Sequence, residues 1–379
     1  MIRLLIADDS ALMRKLLTGI FEAEGDFETA VARNGVEVLE LARSFQPDVV
    51  TLDVNMPVMD GLTCLSRLML ETPCPVVMVS SLTQAGAEST LEALHLGAVD
   101  FIAKPEGTVS LSIDTIRPAL VQKVRDASRA KLRSSLRLAE RVRHQIRSAA
   151  SGLATPAPPP ARPPALRRPV LRPPAPEPLG MRDAGEGMVL VGASTGGPHA
   201  VETILTSLPA DFPWPVVVAQ HMPTMFTGIF AERLNRACAM TVMEVNRPTP
   251  LLPGHAYIAQ GDADVVIGRR PAGLVALSVP VSPAYRWHPS VDRMVATAMQ
   301  HVEPGRLLGV LLTGMGNDGA ETMAELRARG GHAIAEAEET AIVWGMPGDL
   351  VRRDGADVVA PLPDIAAAIV KGIRTHASR

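Results

Sequence analysis

Short apolar runs recur along the chain, and several end abruptly in polar residues. Ile2–Ala7 runs into Asp8-Asp9, and Asp48–Leu52 runs into Asp53. Pro75–Val79 leads to Ser80, and the run around Val99–Ala103 leads to Lys104-Pro105. Later in the chain MVLVGA precedes Ser194, PVVVAQ precedes His221, and LLGVLL enters a glycine-rich turn containing Asp318. Between these runs, apolar residues recur at steps of three and four, the spacing of one helical face. Alternation of buried-strand runs with amphipathic helices predicts the α/β class, here as two domains with doubly wound, largely parallel sheets. In such sheets functional groups gather at the carboxyl ends of the strands, so these polar residues are expected to converge in two places.

Proline divides the chain. Of its 33 prolines, 11 lie between Pro156 and Pro178, too many for helix or sheet. That stretch reads as an extended linker with polyproline II character. A helix-compatible segment, about 114–148, precedes it. Residues 121–178 carry 13 Lys/Arg against 3 Asp/Glu, in a chain whose net charge is −3. The segment reads either as a solvated basic linker or as a dock for an acidic partner. The expected organisation is a first domain over 1–120, a basic helix and Pro-rich linker over 121–180, and a second domain over 181–379.

Composition narrows the class. Hydrophobic residues make up 47% but aromatics only 3%, so the cores must be aliphatic. The balanced charge gives no global case for nucleic-acid binding, and none is expected. Three cysteines cannot build a disulfide framework, which points to the cytoplasm. No apolar run approaches the roughly 20 residues of a membrane span, and the stretch after Met1 is too short for a secretory signal. No membrane insertion is expected.

In the first domain, Asp8, Asp9 and Asp53 should meet. Clustered carboxylates repel one another unless a hard cation such as Mg2+ binds them. Lys104 can pair with a carboxylate or an added phosphoryl group, and the Ser80 hydroxyl can hydrogen-bond a phosphoryl oxygen. These are the requirements for phosphoryl transfer onto a carboxylate. With IADDS (6–10), LDVNMPVMDG (52–61), VVMVSS (76–81) and DFIAKP (100–105), residues 1 to about 120 resemble the receiver domain of bacterial response regulators. The resemblance implies a flavodoxin-like fold with Asp53 as phosphoacceptor. It also implies Mg2+ held by Asp8, Asp9, Asp53 and the backbone carbonyl of Asn55. Ser80 and Phe101 would be the switch residues, Lys104 the active-site lysine, and a histidine kinase the phosphodonor.

In the second domain, Gly192-Ala193-Ser194-Thr195-Gly196 satisfies G-x-S-x-G. Alone, the motif fits a nucleophile elbow or an anion-cradling turn equally well. A hydrolytic serine needs a base. Among nine histidines, His221 is the candidate at a strand's carboxyl end beside the elbow. His199 falls on the following helix, His255 and His288 in proline-flanked loops, and His332 at the wrong end of a strand. Asp318, after the strongest buried-strand run, is the orienting acid; Asp262, Asp264 and Asp292 compete but follow no such strand. The order Ser, His, Asp differs from that of α/β-hydrolases.

VGASTGG, AQHMP (219–223), HPSVD (288–292) and LLTGMGNDGA (311–320) resemble the catalytic domain of the chemotaxis protein-glutamate methylesterases (CheB family). That resemblance implies a Rossmann-like domain with Ser194 as nucleophile, His221 as base, Asp318 as its partner, and an oxyanion region near the backbone of Thr195 and Met315. It implies a hydrolase that demethylates glutamate methyl esters, and deamidates glutamines, on methyl-accepting chemotaxis receptors. The reaction would need no metal, and phosphorylation of the receiver would relieve a block. The linker is longer than in that family, and 257–265 departs from its Ala-Pro-Gly-Asp pattern. Rival classes are an idle receiver-linked scaffold or phosphate sink and a DNA-binding regulator, which the acidic bulk and the elbow disfavour.

Overall fold

A computed structural model describes residues 1–81, 83–104, 109–130 and 187–377. The basic helix beyond residue 130 and the Pro-rich linker expected from the sequence lie outside the described residues.

The first domain is a five-stranded sheet in the order β2-β1-β3-β4-β5. Its strands are β1 (Ile2–Ala7), β2 (Phe27–Ala32), β3 (Val49–Asp53), β4 (Val76–Ser80) and β5 (Asp100–Ala103), all paired in parallel. Helices α1 (Ala11–Glu22), α2 (Gly35–Ser44), α3 (Gly61–Glu71), α4 (Gln84–His95) and α5 (Val109–Ala127) cover both faces. β3 and β4 are buried throughout, and β4 reads as an unbroken apolar run up to Ser80. β2 escapes the sequence reading because the middle residues of FETAVA are exposed or half-buried.

The second domain carries a seven-stranded parallel sheet in the order β15-β14-β13-β6-β7-β10-β8. Its central strands are β6 (Met188–Ala193), β7 (Val216–Gln220) and β13 (Leu307–Leu311), and each is wholly buried. The outer strands are β8 (Thr241–Val245), β10 (His255–Ala259), β14 (His332–Glu336) and β15 (Val358–Ala360). Flanking helices are α6 (Gly197–Ser207), α7 (Thr224–Ala237), α8 (Val291–His301), α9 (Ala320–Ala328), α10 (Met346–Arg352) and α11 (Leu362–Ala377). Strand order reverses between β6 and β13, the kind of switch point where ligands bind.

A small antiparallel sheet is an addition to the expected plan. β11 (Asp264–Arg270) and β12 (Gly273–Val279) form a hairpin that also pairs with β9 (Thr249–Pro250). Its half-exposed strands lack the unbroken apolar runs that mark the parallel sheet.

The two domains pack together. Receiver helix α4 and strand β5 lie against α6 and α7, and one hydrophobic cluster runs continuously through both domains. Phe101 of β5 and Phe226 of α7 sit with ring centroids 4.3 Å apart. His95 approaches Glu202 at 3.8 Å, and Arg233 approaches the same carboxylate at 3.6 Å.

Candidate active site

At the carboxyl edge of the receiver sheet, Asp8, Asp9 and Asp53 offer oxygens that all lie within 4.8 Å of one another. Lys104 Nζ approaches Asp8 at 2.8 Å and Asp53 at 2.9 Å. Burial raises the Asp53 carboxyl above its usual range and the Asp8 charge adds to that, with Lys104 opposing both. Burial pulls Lys104 down, but its bonds to Asp8 and Asp53 outweigh this and leave it raised. Three carboxylates beside one lysine leave unbalanced negative charge. This donor set fits a hard divalent cation. Asn55 lies in the loop after β3. The Ser80 hydroxyl is turned onto the Gly86 carbonyl at 3.1 Å, and Phe101 is buried inward against Phe226.

In the second domain, Ser194, His221 and Asp318 follow β6, β7 and β13, the neighbouring strands at the switch point. The elbow needs its glycines. Gly196, the N-cap of α6, has φ +77°, and a Cβ on Gly314 would stand 2.8 Å from the Ser194 Cβ. The chain can then turn sharply from strand to helix while the 313–318 loop closes against the serine.

Asp318 is held by four donors. His221 Nε2 lies 2.8 Å and Val291 N 2.7 Å from Oδ2; Asp292 N lies 3.0 Å and Ser290 Oγ 3.2 Å from Oδ1. Three of these come from the N-terminal turn of α8, whose dipole also favours an anion. Burial pushes Asp318 up, but His221 and the α8 amides prevail and hold it below the usual range. Its neighbour Asp292 is the converse: burial and the Asp318 charge push it up to about 6. The ionised Asp318 fixes a proton on Nε2 of His221 and leaves Nδ1 as the basic nitrogen. Nδ1 is buried without a hydrogen-bond partner. Among the described residues, no hydrogen bond joins it to Ser194.

The Thr195 and Met315 backbone N–H groups donate to nothing among the described residues, as an oxyanion site requires. Beneath them, the Thr313 carbonyl accepts from Ser194 N at 3.0 Å, and the Thr313 hydroxyl donates to the Thr195 carbonyl at 2.9 Å. Glu336 in turn accepts from Thr313 N at 2.8 Å, and burial pushes this carboxyl up to about 7.

The serine site opens into a cleft of about 980 Å³. One wall is the receiver helix α5, including Arg117, Lys123 and Asp126; the other includes Trp287, His288 and Met315. The Trp287 indole lies parallel to the His221 ring with centroids 6.3 Å apart, and the Arg286 guanidinium stands 5.2 Å from the same indole. The Thr195 hydroxyl donates to the receiver carboxylate Asp100 at 2.6 Å. Lys123 holds the other oxygen of Asp100 at 2.8 Å.

The sequence reading misses Trp287, Glu336 and Asp100. Asp100 and Thr195 lie 95 positions apart and meet only when the domains dock. The rejected candidates Asp264 and His288 are bonded to each other at 2.9 Å, and His199 and His332 fall on α6 and at the start of β14 as expected.

A serine beside a His–Asp pair, with an acidic pocket in the domain packed against it, is the set of parts that a receiver-linked serine hydrolase needs. Comparison with known proteins narrows this class. The CheB methylesterase family model matches residues 189–369, and the response regulator receiver domain model matches residues 4–113. Protein-glutamate methylesterase/protein-glutamine glutaminase 2 of Rhodopseudomonas palustris is 58% identical over 98% of both chains. The corresponding protein 3 of Rhodospirillum rubrum is 52% identical over 97% of this chain and 95% of that one. The crystal structure of the Thermotoga maritima CheB methylesterase catalytic domain is 33% identical with a TM-score of 0.47, covering 49% of this chain and 98% of that one. The chain belongs to the CheB protein-glutamate methylesterase family and carries that family's N-terminal receiver domain. Among the described residues no helix is long and apolar enough to cross a membrane.

Proposed function

We propose that the protein is a phosphorylation-regulated methylesterase and deamidase. Its substrates are glutamate methyl esters and glutamines on methyl-accepting chemotaxis receptors, and it works in the cytoplasm with a histidine kinase as phosphodonor. The observation that carries the reading is the His221–Asp318 pair beside Ser194, with the Thr195 and Met315 amides donating to nothing among the described residues. Family membership supports the substrate class, through relatives that bear both activities in their names.

Ser194 Oγ adds to the carbonyl carbon as His221 Nδ1 takes its proton. The oxyanion meets the Thr195 and Met315 amides. The C–O or C–N bond then breaks as His221 returns the proton to departing methanol or ammonia. Water, deprotonated by His221, cleaves the acyl–Oγ bond and releases glutamate. Asp318 stays ionised and stabilises the imidazolium.

Asp53 is the phosphoacceptor in this reading. Asp8, Asp9 and Asp53, with the Asn55 carbonyl, would hold Mg2+, which supplies charge neutralisation for phosphoryl transfer. Lys104, Ser80 and Phe101 respond to the new phosphoryl group. In the closed arrangement α5 walls the cleft and Asp100 holds Thr195, so the receiver restrains the serine site until phosphorylation loosens it.

Methanol release from methylated receptor membranes tests the reading. Wild type should release it and Ser194→Ala should not. A folded wild type that releases none from its cognate receptors would move the protein to the idle-scaffold class.

A further inference from the structure

The cleft contains a second histidine–aspartate pair that the reaction above leaves unused. Asp264, at the start of β11, has a wholly buried side chain. Its Oδ1 accepts from His288 Nδ1 at 2.9 Å and from Ser290 N at 2.8 Å, and its Oδ2 accepts from Arg293 Nη1 at 2.7 Å. Burial pushes Asp264 up, but these three donors hold it below the usual range, so it is an ionised acceptor. Arg293 already balances its charge. With Nδ1 engaged on Asp264, the neutral imidazole of His288 carries its proton on Nδ1 and offers Nε2 as an acceptor.

His288 lines the cleft with Ser194, His221 and Met315, and its side chain is 23% exposed. Ser290 ties the two pairs together: its N–H serves Asp264 and its hydroxyl serves Asp318. The second imidazole thus has a fixed position relative to the first. The carboxylates sharing the cleft are engaged elsewhere. Glu24 holds Arg117 and Arg125, Asp126 faces Gln122, and Asp262 accepts from Thr224 N.

A methyl ester and a carboxamide differ here in one respect. The amide nitrogen carries two hydrogens, and the methoxy oxygen carries none. An acceptor beside the scissile carbonyl therefore distinguishes them, because it would be left unpaired against the ester. We propose that His288 Nε2 accepts a hydrogen bond from the carboxamide N–H of a glutaminyl side chain, making His288 a specificity-determining residue for deamidation over demethylation. The inference rests on the hydrolase reading of Ser194.

Two substitutions separate the ring's nitrogens. His288→Asn keeps a donor facing Asp264 but removes the cleft-facing nitrogen. His288→Gln reaches further and restores an acceptor there. Full-length protein, Mg2+ and a small phosphodonor are used with receptor membranes carrying either glutamine or methylated glutamate at the same sites. Ammonia and methanol release are measured on one preparation, so their ratio is independent of the folded fraction. The kcat/KM ratio of deamidation to demethylation should fall about tenfold in His288→Asn, as expected for loss of one hydrogen bond in a desolvated site, and recover in His288→Gln. An unchanged ratio in His288→Asn, or one that His288→Gln fails to recover, overturns the inference. So does a wild type that releases methanol but no ammonia. A wild type that releases neither overturns the hydrolase reading itself.

Discussion

The receiver site and the serine site share a plan and treat charge in opposite ways. Both lie at the carboxyl edge of a parallel sheet, beside the point where strand order reverses. The receiver gathers three carboxylates and one lysine, and leaves Asp53 raised and Asp9 exposed. In the proposed reading its excess negative charge would be balanced from outside by a cation, so its state can change. The serine site buries one carboxylate, Asp318, and satisfies it from within by four donors. Its His221–Asp318 end is preorganised, and in the proposed reading what changes is access. A switch and a catalyst can therefore share one scaffold type, provided the first is left electrostatically incomplete and the second is not.

Disturbing the internal neutralisation of the serine site should have the largest effect. Asp318→Asn keeps the shape of the site but loses the charge that orients the His221 proton. Methanol release should fall about 10⁴-fold in kcat. Asp53→Asn should leave unstimulated release within about twofold of wild type. A modest loss in Asp318→Asn would make that carboxylate structural.

Glu336 extends the contrast to stability. Its carboxyl is pushed up to about 7, so the folded state keeps a proton that the unfolded chain loses at lower pH. Stability should then fall as pH rises from the usual glutamate range to about 7, and level off above. Glu336→Gln removes that cost. The variant should match wild type near pH 4 and exceed it by about 3 kcal/mol above pH 7, because each tenfold difference in proton affinity between the folded and unfolded states is worth about 1.4 kcal/mol. Urea unfolding across that range measures it, and a pH-independent difference would count against a protonated Glu336.

The contact between the two sites gives a smaller effect. Asp100 accepts from Thr195 at 2.6 Å and is ion-paired with Lys123 at 2.8 Å. Such a bond contributes about 1.5 kcal/mol or more. Asp100→Asn should raise unstimulated methanol release about tenfold and shrink the gain from a phosphodonor. Basal release that stays at the wild-type level would show that the bond does not restrain the serine.

The parts legible in the sequence are those written by buried strands. β4 and β6 lie where the apolar runs place them, because strands buried on both faces leave no polar interruption. Asp8, Asp53, Ser194 and His221 stand out because each ends such a run, and Asp318 because it lies in the turn that follows one. The β11–β12 hairpin, with its half-exposed strands, gives no comparable run. His288 and Asp264 follow no buried parallel strand, and only the fold reveals that they pair. Trp287 and Glu336 carry no motif of their own. Asp100 sits inside the receiver pattern DFIAKP, but its hydrogen bond to Thr195 depends on how two domains meet, which local patterning does not encode.

In the proposed reading the receiver governs the serine site. The most direct test is methanol release from methylated receptor membranes with Mg2+, with and without a small phosphodonor, for wild type and Asp53→Ala. The phosphodonor should stimulate wild type severalfold and leave Asp53→Ala at its basal rate. Equal stimulation of both proteins, or none in a wild type that takes up the phosphoryl group, would contradict it.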